Sequence, residues 1–163
     1  MTVPRLLSKA SIFIVLRNDA GEILLQQRAN TGYHDGYYDF AAGGKVDEGE
    51  SILEAVVREA AEELGITIDP ADAKLVHINQ NFIDHAYFNF TFDVTRWQGT
   101  PQIMEPEKCS DLRYFPPDRL SEKCTLSVRV NKRAGFGHEL TFSKITPAEY
   151  EVLMNQEWER NPA

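Results

Sequence analysis

The stretch Gly44-Lys-Val-Asp-Glu-Gly-Glu50-Ser-Ile-Leu-Glu-Ala-Val-Val-Arg58-Glu59-Ala-Ala-Glu62-Glu63-Leu-Gly65-Ile66 decides how the rest of this chain is read. Ser51 with Glu54 three residues later forms a capping box, so a helix is predicted to start at Ile52. Ala, Arg, Glu and Leu fill the following turns, and all are good helix formers. Gly65 suits the left-handed position just past the last turn. At 100° per residue, Leu53, Val56, Val57, Ala60 and Leu64 share an arc about 100° wide, which marks the face to be buried. Glu59, Glu62 and Glu63 fall on the adjacent arc. Carboxylates spaced i, i+3 and i+4 repel one another, and a hard divalent cation between them turns that repulsion into binding. Glu62-Glu63 alone would read as a solvated acidic face; it is the whole spacing that points to a metal site holding a phosphate.

Length and composition set the frame. The chain has 163 residues, enough for one domain with its own core. A net charge of −8 argues against a nucleic-acid polymer or an anionic membrane as the main partner. It leaves a nucleotide open, because a bound cation reverses the local field. Cys109 and Cys124 show no metal spacing and read as reduced thiols of a cytoplasmic protein. Residues 1–10 lack an apolar core and a cleavage site, and Ile12–Leu16 is too short to span a bilayer, so neither export nor membrane insertion is expected. His34, His77, His85 and His138 are scattered, and His77 reads as structural.

Outward from the quoted stretch, apolar patterning alternates with turn residues. Ser11–Arg17 is a β-branched run expected to be a strand buried on both faces. Asn18–Gly21 reads as a turn, with Glu22–Arg28 as the hairpin partner. Asp39–Val46 is expected to be a short strand and glycine turn leading into the helix. Lys74–Phe82 and His85–Val94 read as strands, the second with Phe88, Phe90, Phe92 and Val94 on one face and Tyr87, Asn89, Thr91 and Asp93 on the other. Leu112–Phe115 is a last short strand. In the tail, Leu126–Val130 and Glu139–Ile145 are expected to form a hairpin, and Pro147–Arg160 a helix capped by Thr146. The sum is an α/β (α+β) domain over residues 1–163, with helices covering a mixed central sheet, a core in 8–122 and an atypical tail in 123–163.

The quoted stretch resembles the Nudix box, G-x5-E-x7-R-E-U-x-E-E-x-G-U, where U is aliphatic. Gly44, Glu50, Arg58, Glu59, Glu62, Glu63 and Gly65 match all seven fixed positions, and Ala60 and Ile66 stand at the U positions. Seven fixed positions match by chance on the order of 1 in 10⁸ per start site. Leu25–Tyr33, Asp35–Tyr37, Trp97–Pro101 and Glu105–Phe115 are similar to sequences that flank the box in bacterial members. Phe40-Ala41-Ala42-Gly43-Gly44 departs from the Leu-Pro-Gly-Gly of many nucleotide-cleaving members.

The resemblance implies an α/β/α sandwich with the box as a loop-helix-loop. It implies Mg²⁺, with Mn²⁺ as an alternative, held by Glu59 and Glu63 with Glu62, and by the backbone carbonyl of Gly43. Arg58 would hold a carboxylate through a bidentate bond, and Glu50 would support the loop or bind metal through water. The general base is open between Glu59 and a residue of the loop after Trp97: Glu105, Glu107 or Asp111. Arg28 and Lys45 would contact phosphate, and Tyr33 would stack on a base. The implied reaction is hydrolysis of a diphosphate linkage in a small-molecule nucleotide, a nucleoside triphosphate giving monophosphate and pyrophosphate being the leading case. ADP-ribose, a nucleotide sugar, and a non-catalytic nucleotide-binding role are the alternatives. An isopentenyl-diphosphate isomerase would need an upstream cysteine, and none precedes Cys109. Many relatives are homodimers, so a homodimer stands beside the monomer.

Overall fold

The β-branched run that opens the chain becomes the centre of the molecule. In the computed structural model, which describes residues 1–156, β1 (Lys9–Leu16) runs antiparallel to β4 (Ala42–Lys45) on one side and parallel to β6 (Tyr87–Val94) on the other. Its side chains are packed on both faces, as the continuous apolar pattern demands: Ile12, Ile14 and Leu16 toward one layer, Phe13 and Val15 toward the other. β5 (Ala73–Asn81) and β8 (Thr141–Ile145) complete a mixed five-stranded sheet in the order β4-β1-β6-β5-β8. A second, antiparallel sheet holds β3 (Tyr38–Phe40), β2 (Ile23–Arg28) and β7 (Cys109–Phe115).

Helix α1 (Ile52–Leu64) begins as its capping box requires: Ser51 Oγ accepts from Glu54 N–H, and the Glu54 carboxylate accepts from Ser51 N–H. Gly65, at φ 66°, ends it in the left-handed conformation. Ala55, Val56, Ala60 and Leu64 are buried against Ile12, Ile14 and Phe92. α2 (Leu126–Arg133) and α3 (Pro147–Asn155) lie on the opposite side, where Val128 joins Val15, Leu25 and Phe40 in a second cluster. The expected layering of helix, sheet and helix is present. No described helix is long and apolar enough to cross a membrane.

Four expectations need correction. Glu22–Arg28 is a strand, but not the ladder partner of β1; only Arg17 and Ile23 bridge the two, and β2 turns into the second sheet. Gly43 and Gly44 do not form a turn. They lie inside β4, paired with Phe13 and Ile12, and the turn follows at Asp47–Glu50, closed by Glu50 N–H to the Asp47 carbonyl at 3.1 Å. The tail is no hairpin, and it does not depart from the expected helix after β7. Leu126–Val130 is the start of α2, and β8 pairs in parallel with β5. Its alternating Leu, Val and Val mimic a strand because the intervening Arg129 is buried as well. α3 ends at Asn155, with Gln156 extended at its C-cap, short of the predicted Arg160; positions 157–160 of that prediction lie outside the described residues.

The polar face of β6 is not a solvent face. Thr91 and Asp93 are buried, and beside them on β5 are the buried His77 and Asn79. His77 bonds Thr141 Oγ1 at 2.7 Å and Ser143 Oγ at 2.8 Å, which stitches β8 to the sheet and agrees with a structural role. Where this polar face is not covered by α2, it floors a cleft.

Candidate active site

β4 and α1 bring the box residues together. β4 approaches α1 closely because Gly44 has no side chain, and it lies tight against β1 because Gly43 has none. A Cβ on Gly44 would overlap the Glu59 carboxylate, and one on Gly43 would meet the Ile12 carbonyl oxygen and Phe13 Cδ1, each at 2.7 Å. The carboxylate of Glu59 thus occupies the space that Gly44 leaves empty.

Arg58 organises the acids around it. Its Nε and Nη2 donate to the two oxygens of Glu50 at 2.7 and 2.9 Å, a bidentate pair. Nη1 reaches Glu59 Oε1 at 2.8 Å and Glu62 Oε2 at 3.3 Å, and Nη2 also donates to the Lys45 carbonyl at 3.0 Å. The Arg58 pair, with Asp47 N–H also donating to Oε2, holds the Glu50 carboxyl down at about 2. Glu50 therefore closes the turn before the helix, while Glu59 points at β4.

Glu59, Glu62 and Glu63 are not equivalent. The buried face of α1 is rotated toward Glu59, which is 9% exposed, while Leu53 and Val57 stay partly open. Burial raises the Glu59 carboxyl, against the pull of Arg58. Glu63 is partly buried and accepts from Gly43 N–H at 2.8 Å. Burial, opposed by that N–H and assisted by the charges of Glu59, Glu105 and Asp39, pushes its carboxyl up to about 8. Glu62 is exposed. Two acids one helical turn apart are therefore held at the β4 edge, and the third lies at the rim.

A loop completes this corner. The last carbonyls of a helix lack intrahelical partners; here Gln102 N–H donates to Leu64 O at 3.1 Å and Met104 N–H to Glu63 O at 3.2 Å. That docking sets Glu105 in a groove of about 120 Å³ shared with Glu63, Arg28 and Cys109. Lys108 Nζ pairs with Glu105 at 2.8 Å. Glu107 is exposed, and Asp111 is taken by Tyr38 Oη and Arg113 at 2.5 and 2.6 Å. Of the three acids expected from this loop, only Glu105 shares a cavity with Glu63. Cys109 Sγ bonds the Asp111 carbonyl, and burial raises its thiol.

On the other side of Glu63 opens a cleft of about 840 Å³, lined by Gly43, Gly44, Lys45, Arg28 and Tyr33 among others. All three residues expected to contact substrate face this space. Arg28 is held by the Tyr33 carbonyl at 2.8 Å and Thr31 Oγ1 at 3.1 Å, and lies 3.4 Å from Asp39. Asp39 is a residue the sequence did not mark. It is buried, accepts from Thr125 Oγ1 and from Phe40 N–H, both at 2.9 Å, and anchors both Arg28 and the start of α2. An acid beside a pair of aromatics carries no spacing signal of its own.

The NUDIX domain family model matches residues 7–133. An uncharacterized Nudix hydrolase of Yersinia pestis is 30% identical, over 91% of this chain and 83% of that protein. The uncharacterized Nudix hydrolase YfcD of Escherichia coli (strain K12) is 30% identical over 69% of this chain, which spans 61% of that relative's length. Among solved structures, a MutT NUDIX hydrolase from Burkholderia pseudomallei superposes with a TM-score of 0.71 at 26% identity, covering 78% of this chain and 97% of that one. A MutT protein from Bacillus halodurans does so with a TM-score of 0.67 at 26% identity, over 86% and 92%. A matching family model over most of the chain, relatives at this identity and a shared fold agree with the box geometry, and the chain belongs to the Nudix hydrolases.

Proposed function

We propose that the protein hydrolyses a diphosphate linkage in a nucleoside diphosphate derivative, with a nucleoside triphosphate giving monophosphate and pyrophosphate as the leading case. One observation carries this reading. Glu63 lines a large cleft and is fixed there by Gly43 N–H, while Glu59, one helical turn away, is held by Arg58 in the clearance of Gly44, which also lines the cleft.

Nudix hydrolases generally use divalent metal ions. The residues here fit such an ion: the donors are hard oxygens, and a Cβ at Gly44 would fill the cradle in which Glu59 sits. Among the described residues no three acidic, histidine or cysteine side chains are already gathered around one point. Arg58 holds Glu59 and Glu62 instead, so loading exchanges some of these contacts for ligand bonds. Glu59 and Glu63 would hold Mg²⁺ or Mn²⁺, with Glu62 and the Gly43 carbonyl as further oxygens. When bound, the ion neutralises phosphate charge and acidifies water.

The chain's own residues do the rest. Arg28 and Lys45 bind phosphate oxygens at the cleft wall. Glu105 accepts the proton of the attacking water as its oxygen bonds to phosphorus and the bond to the bridging oxygen breaks; Glu59 is the alternative base. Release of pyrophosphate and phosphate, measured over nucleoside triphosphates, ADP-ribose and nucleotide sugars with Mg²⁺ and with Mn²⁺, tests the reading. Cation-dependent turnover of at least one member is expected. No turnover on any member overturns it, and calorimetric nucleotide binding without turnover favours a binding module.

A further inference from the structure

The far end of the cleft is built by the part of the chain that follows the box and its flanks. α3 contributes Tyr150 to its wall, and the same lining includes Tyr87 and Asn89 of β6 and Asn81 of β5. Tyr150 is firmly placed. A capping box of Thr146 and Glu149 fixes the start of α3. At its other end the buried Arg129 donates through Nη1 to the carbonyls of Leu153 and Gln156, each at 2.9 Å. Leu153 packs in a cluster with Leu126, Val130 and Ile145.

Tyr150 is also tied to the phosphate side of the cleft. Its Oη lies 3.3 Å from His34 Nε2. His34 adopts φ 47°, a left-handed conformation that costs a non-glycine residue energy. Its ring meets Tyr33 edge-on, with centroids 4.3 Å apart, and Tyr33 carries the Arg28 guanidinium 5.3 Å from its own centroid. A continuous line of contacts runs from Arg28 through Tyr33 and His34 to Tyr150.

We propose that Tyr150, held by His34, is a specificity-determining residue that receives a planar, donor-bearing heterocycle, the base of a nucleotide whose phosphates lie at Arg28 and Lys45. This assignment rests on the hydrolase reading above and adds the residue that reads the base. The ring of Tyr150 offers a face for stacking. Asn89 and Asp84 on the same cleft surface offer oxygen acceptors for ring N–H and exocyclic amino groups, while Asn81 Oδ1 already accepts from Ile83 N–H at 2.9 Å. The charge of Asp84 disfavours a carboxylate or a second phosphate cluster at this end, so the substrate carries its anionic groups at one end only.

KM and kcat for ATP, GTP, CTP and UTP are measured with the wild-type protein, Tyr150→Phe and Tyr150→Ala, together with inhibition by inorganic tripolyphosphate, which has phosphates and no base. For the preferred nucleotide Tyr150→Ala is expected to raise KM about ten-fold or more, to change kcat by less than about two-fold, and to leave tripolyphosphate inhibition unchanged. Tyr150→Phe keeps the stacking face and stays within about three-fold of wild type. Should the alanine variant fail to fold, Tyr150→Leu, which keeps apolar packing and lacks the aromatic face, carries the same expectation. A KM unchanged on every nucleotide, or weakened tripolyphosphate inhibition to match the KM, overturns the assignment. Calorimetric binding of AMP, GMP, CMP and UMP to the metal-free protein needs no turnover. Binding to wild type that weakens about ten-fold in Tyr150→Ala supports the subsite even where hydrolysis fails, whereas equal binding, or none, overturns it.

Discussion

At the scale of the residue, the two glycines before the helix separate fold from chemistry. A Cβ at Gly43 would press on the Ile12 backbone carbonyl, which is locked in the β1–β4 ladder and cannot yield cheaply. Gly43→Ala is expected to lower stability by about 1–3 kcal/mol, read by urea denaturation. A Cβ at Gly44 meets only the flexible end of Glu59, so Gly44→Ala should keep stability within about 1 kcal/mol of wild type while displacing that carboxylate. Its kcat should fall roughly 100-fold, and an unchanged kcat would remove Glu59 from the mechanism. Glu63→Gln gives the complementary test. The amide can still accept from Gly43 N–H and carries no buried charge, so the fold is retained. Activity should drop at least about 100-fold, about 3 kcal/mol of barrier, with no loss of melting temperature near pH 7. That Glu59, Glu62 and Glu63 share one arc of a helix was legible in the sequence, because their spacing repeats with the helix. It did not show that Glu59 is buried while Glu62 is exposed, because that depends on how β4 lies against α1.

At the scale of the element, legibility followed how local the cause was. The start and end of α1 were readable because the capping box and Gly65 act within one turn. The partners of β2 and β8 were not, since ladder pairing is settled by distant segments. α2 was misread for a related reason. Its alternating apolar residues suggest a half-buried strand, yet the arginine between two valines is buried to serve another element. Arg129 donates to carbonyls of Glu122, Cys124, Leu153 and Gln156, so one side chain joins the 122–124 loop, α2 and the C-terminal end of α3. Arg129→Ala leaves these carbonyls without that donor and should destabilise the protein by about 3 kcal/mol or more in urea unfolding. Arg129→Lys should recover less than half of the loss, because an ammonium cannot span four acceptors in a planar fork. Full recovery by lysine would mean that charge at the α3 terminus, not the bonding geometry, is what matters.

At the scale of the whole molecule, the Glu63 carboxyl in the cleft wall links stability to pH. The Glu63 carboxyl is raised from 4.5 to about 8 by burial. Between these values the native state keeps a proton that the unfolded chain has released. Stability therefore falls as pH rises through this window, by up to about 1.4 kcal/mol per pH unit from this group, and levels off above it. Other groups add to the measured curve: burial raises Asp39 in the same sense, and the bonds to Tyr38 and Arg113 lower Asp111 in the opposite one. The difference between the wild-type and Glu63→Gln unfolding curves isolates Glu63. In the metal-free protein that difference should shift against wild type as pH rises from about 4.5 to about 8. On the proposed reading a divalent cation would bind the deprotonated site, so adding Mg²⁺ or Mn²⁺ should raise the wild-type melting temperature more at pH 8 than at pH 6 and have little effect on Glu63→Gln. A difference curve that stays flat across this range would mean that Glu63 is no more shielded from solvent than an ordinary surface carboxylate. A cation effect equal at both pH values would place the ion elsewhere than on this acid.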